Sequence, residues 1–97
     1  MSAGAVVSGL SSVNNNAYLT IQPTGADEWV IHNIHANTGG IELHYYDGAN
    51  DVTLDVPATT LTWYANLQLH CTATRYYRVK NVSGGALLIG YDGMQTA

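Results

Sequence analysis

Charged side chains are scarce in this sequence. They make up 10% of the 97 residues, against a usual share of about 25% in globular proteins. The three cations, Arg75, Arg78 and Lys80, fall within one short stretch, and three charges are too few to follow a phosphate backbone. We therefore expect no nucleic-acid partner. A weakly charged surface favours a subunit that is covered in an assembly, although it also fits a secreted or tail-type β-domain.

Cysteine is nearly absent, and long apolar runs are missing. The single cysteine, Cys71, excludes an internal disulfide. It continues the alternation of Leu67 and Leu69, which predicts a small buried hydrophobe rather than a nucleophile. The sequence has neither a signal-peptide pattern at its start nor a run of about 18 apolar residues. We expect a soluble protein, made in the cytoplasm, with no membrane partner.

Helical periodicity is also missing, and the pattern is that of an all-β protein. Valine, isoleucine, threonine and tyrosine alternate with polar residues, and turn residues recur about every 8–12 positions. Seven or eight short antiparallel strands with one apolar face each predict a β-sandwich of jelly-roll type over residues 17–97. The predicted strands are 17–22, 28–36, 40–46, 52–56, 62–71, 75–81 and 86–91, with a wider turn at PATT.

The first 16 residues differ from the rest. Their sequence, MSAGAVVSGLSSVNNN, is small, polar and uncharged. We interpret 1–16 as a flexible or extended arm outside the core, which reaches over another subunit. The apolar residues Val6, Val7 and Leu10 leave open a short strand against a neighbour.

The segment YYDGAND at residues 45–51 has two interpretations. Its carboxylates, Asp47 and Asp51, could contribute to a calcium loop, but such a loop needs about six to eight oxygen ligands. Asp-Gly is a strong hairpin signal, since glycine adopts positive φ without strain. We predict a turn at Asp47-Gly48, with an ion as the alternative. The same tripeptide recurs as Tyr91-Asp92-Gly93, so Asp92 and Gly93 are predicted to form a second turn.

Patterns for catalysis or metal binding are weak. On a strand, the three-residue spacing of His32 and His35 points the rings to opposite faces, which disfavours a shared metal. His44 and His70 remain possible cross-strand neighbours of either ring. Neither an acid pair nor a nucleophile beside a base is visible. We expect no enzymatic activity, no catalytic residues, no metal and no cofactor.

Tyrosine is the abundant aromatic residue, with seven Tyr and two Trp against no Phe. Both side chains combine an apolar ring with a polar tip, which suits protein interfaces and sugar-binding platforms. Tyrosine also replaces phenylalanine at half-buried positions. The candidate interface residues are the outward aromatics, the apolar start of the strand at 28–36 and the apolar residues of the arm: Val6, Val7, Leu10, Trp29, Val30, Tyr46, Tyr64 and Tyr76.

Residues 20–96 resemble a group of small virion structural proteins of tailed bacteriophages. The resemblance rests on EWVIHNIHAN, IELHYYDG and YYRVKNVSGGALLIGYDGMQT, within which the matching residues are Glu28–Ile34, Ile41–Gly48, Val79–Asn81 and Tyr91–Gly93. These motifs are structural rather than catalytic. The arm and the segment PATTLTWYANLQLHC depart from the pattern, and a specific partner contact could differ there.

The resemblance implies a capsid cement or decoration protein. Such proteins are β-sandwiches that assemble as homotrimers on the outside of the head shell and clamp neighbouring major capsid subunits. The expected partner is thus the major capsid protein, and the expected location is the capsid surface of the virion. A tail or fibre component, or a carbohydrate-binding β-module, is the alternative.

Overall fold

The computed structural model describes residues 4–55 and 63–97. Within these ranges the chain forms nine β-strands. The same ranges contain no helix that could span a membrane. The strands are β1 (Val6–Val13), β2 (Tyr18–Ile21), β3 (Trp29–Ala36), β4 (Ile41–Tyr46), β5 (Asp51–Asp55), β6 (Trp63–Tyr64), β7 (Leu69–Cys71), β8 (Tyr76–Asn81) and β9 (Leu87–Gln95).

The strands form two antiparallel sheets that pack as a sandwich. Sheet 1 has the order β1-β9-β3-β6, with β7 also paired to β3, and sheet 2 has the order β2-β8-β4-β5. Counting β6 and β7 as one interrupted strand, each sheet has four positions. The chain then passes between the sheets in the order of a jelly roll. The predicted all-β sandwich of jelly-roll type is therefore confirmed.

The predicted strands are found, with two main differences in extent. The segment 62–71 is split into β6 and β7, because Asn66 between them has φ of +58° and breaks the extended chain. The last strand continues to Gln95 instead of ending at residue 91. The predicted turn at PATT, with residues 56 and 62, lies outside the described residues.

The prediction of an arm outside the core is wrong for Val6–Val13, which forms strand β1. Val6–Val13 pairs with β9 over eight residues without a register shift. Val7 and Val13 are buried in the core, so this segment belongs to the sandwich. The small residues of the segment allow β9 to approach closely: a Cβ on Gly9 would lie 2.8 Å from the ring of Tyr91. Residues 1–3 of the arm are outside the described ranges.

The core lies between the two sheets and is built from alternating apolar positions of both. Burying such side chains is the main favourable contribution to the stability of a small sandwich. Its buried apolar members are Val7, Val13, Ile21, Trp29, Ile31, Ile34, Ile41, Leu43, Cys71, Val79, Leu87 and Ile89.

One buried polar residue, Asn81, ties β1 to the β8–β9 hairpin. Its side-chain nitrogen donates to the carbonyl oxygens of Val13 (2.7 Å) and Gly85 (2.6 Å). Its side-chain oxygen accepts hydrogen bonds from the backbone N–H of Ser83 (2.9 Å) and from the Ser83 hydroxyl (2.7 Å). Because Asn81 is wholly buried, each of these bonds replaces one that water can no longer make.

Candidate functional site

The outer face of sheet 1 carries most of the exposed apolar side chains. In the described part of the chain, eight large apolar side chains are exposed, and five of them lie on this face. The outer face of an antiparallel sheet is usually polar, so this concentration indicates a contact surface. We call it the apolar face, and its members are Val6, Leu10, Trp63, Leu88 and Met94.

Strand register arranges the apolar face in two groups, separated by the polar row of Ser8, Asp92 and Asn33. Val6 pairs with Met94, and Met94 pairs with Val30 on the next strand. Leu10 and His35 are both register partners of Gly90. A Cβ on Gly90 would lie 3.0 Å from Leu10 Cδ1 and 2.5 Å from His35 Nε2, so these two side chains close over the glycine.

A shallow groove continues the apolar face at one end of sheet 1. Its volume is about 440 Å³, and it is open to solvent. His70 at its edge makes a 2.8 Å contact with a carboxylate oxygen of Glu28, and His32 Nδ1 lies 3.2 Å from the Leu67 carbonyl oxygen. The groove is lined by Val30, His32, Gln68, His70 and Thr96.

The two histidines of HNIH lie on the same face, contrary to the prediction. The pairing of β3 with β9 shifts register between Ile31 and Asn33, which inserts His32 as an extra residue. His32 therefore lines the groove, while His35 lies over Gly90 on the same outer face. The described residues contain no group of three or more histidine, cysteine or acidic side chains that could hold a metal.

The outer face of sheet 2 carries an ionic cluster. Its centre is His44, which is 4% exposed. One ring nitrogen of His44 lies 3.1 Å from Glu42 and the other 3.1 Å from Asp51. Arg78 donates from Nη2 to Asp51 at 3.0 Å. The members of the ionic cluster are Glu42, His44, Asp51 and Arg78.

Tyrosine rings enclose the ionic cluster. The guanidinium of Arg78 lies 4.2 Å from the ring centroids of both Tyr18 and Tyr46, which places it between two aromatic faces. Tyr46 in turn meets Tyr76 edge-on, with centroids 5.5 Å apart. Since Arg78 covers one face of each of these two rings, they make poor sugar-stacking platforms.

The ionic cluster makes the stability of the sandwich depend on pH. Burial raises the pKa of Asp51, but hydrogen bonds from Arg78 and His44 and their positive charges outweigh this and hold it below its usual value. A carboxyl whose folded pKa is depressed stabilises the protein above its unfolded pKa near 4, and this contribution is lost as pH falls through the folded pKa. We expect Asp51→Asn to lower the melting temperature near neutral pH and to flatten its decline below about pH 4.

The control for that prediction is Asp27→Asn, which removes the same charge from a loop outside the cluster. Melting temperatures measured from pH 7 down to pH 2 would test the difference. If Asp51→Asn declines as steeply as the wild type and the Asp27 variant, the assigned role of Asp51 is wrong.

The first YDG copy forms the predicted turn. Asp47 Oδ1 accepts hydrogen bonds from the backbone N–H groups of Asn50 (2.7 Å) and Ala49 (3.0 Å), which lower its pKa. Gly48 has φ of +96°, in the region that favours glycine. Asp51 is turned toward the ionic cluster instead, so the two carboxylates do not converge on a shared ion.

The second YDG copy does not form a turn. Asp92 and Gly93 lie inside β9, between β1 and β3. Asn33 Nδ2 donates to Asp92 Oδ1 at 2.7 Å across the sheet. A Cβ on Gly93 would collide with the Val30 carbonyl oxygen, so glycine is needed here for close strand packing rather than for a turn.

The candidate interface residues divide between the two outer faces and the core. Val7 and Trp29 are buried in the core, so their prediction as interface residues is wrong. Val6 and Leu10 are exposed on the apolar face, and Val30 lines the groove beside it. Tyr46 and Tyr76 lie on sheet 2 beside the ionic cluster, and Tyr64 packs against the core.

Cys71 is a buried residue, as predicted. Burial raises the pKa of its thiol to about 11, so the sulfur stays protonated at neutral pH and is a poor nucleophile.

A comparison of the chain with protein-family models gave no match, and neither did a comparison with curated proteins.

Proposed function

We propose that this chain is a decoration protein of a bacteriophage head shell. It binds the outside of the shell as a homotrimer and stabilises junctions between major capsid subunits. The observation that carries the proposal is the apolar face, an exposed apolar surface on one side of a small sandwich. The sequence resemblance to small virion proteins supports the same function, and jelly rolls serve in viral capsids among other proteins.

The size of the sandwich fits this role. Its dimensions are 37 × 27 × 20 Å. The broad face of such a body covers roughly 1,000 Å², which exceeds the ~800 Å² per partner of a standard protein interface. One face can therefore supply a complete contact with a shell subunit.

The charge distribution supports the same use of sheet 1. The cations Arg78 and Lys80 lie on β8 in sheet 2, and the paired charges of the ionic cluster are on that sheet as well. On the outer face of sheet 1, Asp92 lies between members of the apolar face, and its carboxylate accepts a 2.7 Å hydrogen bond from Asn33, so covering the face leaves this carboxylate with a partner. In a trimer three such faces bind together, and linked contacts strengthen one another through effective concentration.

A matched pair of double variants tests the proposal. Leu88→Glu with Met94→Glu adds two charges to the apolar face. Val52→Glu with Leu54→Glu adds the same charge to β5 of sheet 2, where both side chains are equally exposed. In co-sedimentation with head shells that lack the protein, we expect the first variant to bind at least about tenfold more weakly. The second should bind like the wild type.

Two results would contradict the proposal. If the wild-type protein does not sediment with head shells, the proposed function is wrong. Equal losses in both double variants would leave shell binding in place but remove its assignment to the apolar face.

A carbohydrate-binding or tail-fibre module remains the second candidate because of Trp63. This ring is 59% exposed on the apolar face and is free to stack on a sugar. Glycan binding by the isolated chain, abolished in Trp63→Ala and kept in Tyr64→Ala, would favour that function over the shell.

A further inference from the structure

We propose that the outer edge of β1 is the seam at which a second copy of this chain adds a strand. The inference rests on the self-association proposed above but not on shell binding. β1 is the end strand of sheet 1, and in the described part of the chain β9 alone pairs with it. Its second row of backbone donors and acceptors is therefore open.

The hydrogen-bond pattern shows which residues form that open row. Gln95 N donates to Ala5 O, which directs the carbonyl group of residue 5 toward β9. In an antiparallel pair this direction alternates along the strand, so residues 7, 9, 11 and 13 also bond to β9. The alternate residues present N–H and C=O to the open side, and they are Val6, Ser8, Leu10 and Ser12.

This edge lacks the features that usually prevent strands from pairing with other chains. Proteins protect such edges with charge, proline, bulges or short strands. β1 has eight residues, no charge, no proline and an unbroken register. The other end strands in the described part are protected: β2, β6 and β7 have four, two and three residues, and β5 begins with aspartate and pairs through a register shift.

A second copy is the occupant that this edge fits. Two copies of an uncharged strand meet without repulsion, although each chain carries a net charge of −4. The four open residues are symmetric about Gly9, so an antiparallel β1–β1 pair can satisfy all of them at once. That pair has two-fold symmetry; a closed ring of three would instead place the open side of β1 against a different surface of its neighbour, and in both arrangements this side is buried.

Proline at Ser8 tests the seam. The Ser8 N–H faces the open side, so Ser8→Pro removes a donor from the seam and blocks the approach of a strand while leaving the bonds to β9. Ser8→Ala is the matched control, since it keeps the N–H. We expect Ser8→Pro to raise the self-dissociation constant at least about tenfold, and Ser8→Ala to leave it unchanged.

Ser8→Lys covers the case in which the proline variant does not fold. Lysine protects edge strands, and Ser8 is exposed, so this variant should fold as a monomer. Thr20→Lys places the same charge on the edge strand of sheet 2 and should keep the oligomer. Light scattering on a sizing column gives the masses, with two or three times 10.4 kDa expected for the wild type.

The outcomes separate this inference from the proposed function. A wild type that is monomeric at every concentration, or Ser8 variants that are folded and as oligomeric as their controls, would overturn the seam. Shell binding is measured independently by co-sedimentation, so either proposal can fail while the other stands.

Discussion

Gly93→Ala is expected to prevent folding or to lower the free energy of unfolding by at least about 3 kcal/mol. A Cβ at this position would overlap the carbonyl oxygen of Val30 and lie 2.8 Å from Ile31 Cα. Both are backbone atoms of β3, the strand that pairs with β9. They cannot move aside without separating β3 and β9, the two central strands of sheet 1. The clash can therefore be relieved only by disrupting the hydrogen bonds between these strands.

Gly85→Ala is the control for that measurement. Nothing lies within 4 Å of a Cβ at Gly85, which is in the turn between β8 and β9. Urea denaturation should show a change within about 0.5 kcal/mol for this variant. If both variants unfold at the same urea concentration as the wild type, the close approach of β3 and β9 at Gly93 is contradicted.

Asn81→Asp is expected to cost about 3 kcal/mol at neutral pH. Aspartate has nearly the same shape, but it cannot donate to the carbonyl oxygens of Val13 and Gly85. A wholly buried carboxylate facing two carbonyl oxygens is also disfavoured by desolvation and repulsion. The loss should be smaller at pH 4 than at pH 7, because a protonated carboxyl carries no charge and regains one donor.

The matched change is Asn15→Asp. Asn15 is exposed, and its side-chain oxygen accepts from Gly84 N–H at 2.9 Å, a role that aspartate keeps. The free energy of unfolding of the Asn15→Asp variant should remain close to that of the wild type. Similar losses in the two variants, or a loss at Asn81 that does not depend on pH, would argue against the buried donor role of Asn81.

The fold class follows from the sequence because alternation and turn chemistry are local properties. Strands β3, β4 and β8 lie within the predicted segments, and the Asp47-Gly48 turn has the positive φ that its glycine suggested. β1 was harder to recognise, since its residues are small and its stability depends on β9, more than 70 residues away along the chain. The buried pair Val7 and Val13, on one face at even spacing, was the available signal.

The candidate site could be predicted only in part. The sequence predicts Val6 and Leu10 as contact residues, but Leu88 and Met94 cannot be placed beside them without the strand order. The two YDG copies have the same letters and different surroundings: one closes a hairpin, and the other lies between two strands. The bulge at His32 had a signal in the three-residue spacing of Ile31 and Ile34, both of which face the core.

The position of β9 has a consequence for biosynthesis. It is the last of the described strands, yet it lies between β1 and β3 and pairs with both. Sheet 1 therefore cannot be completed until residues 87–95 have left the ribosome, and until then β1 has no partner in its own sheet. The nascent chain must stay soluble during this interval, although it has few charged side chains to oppose aggregation. Assembly of sheet 1 is then governed by closure of the long loop between β1 and β9, which is slow in β-rich topologies.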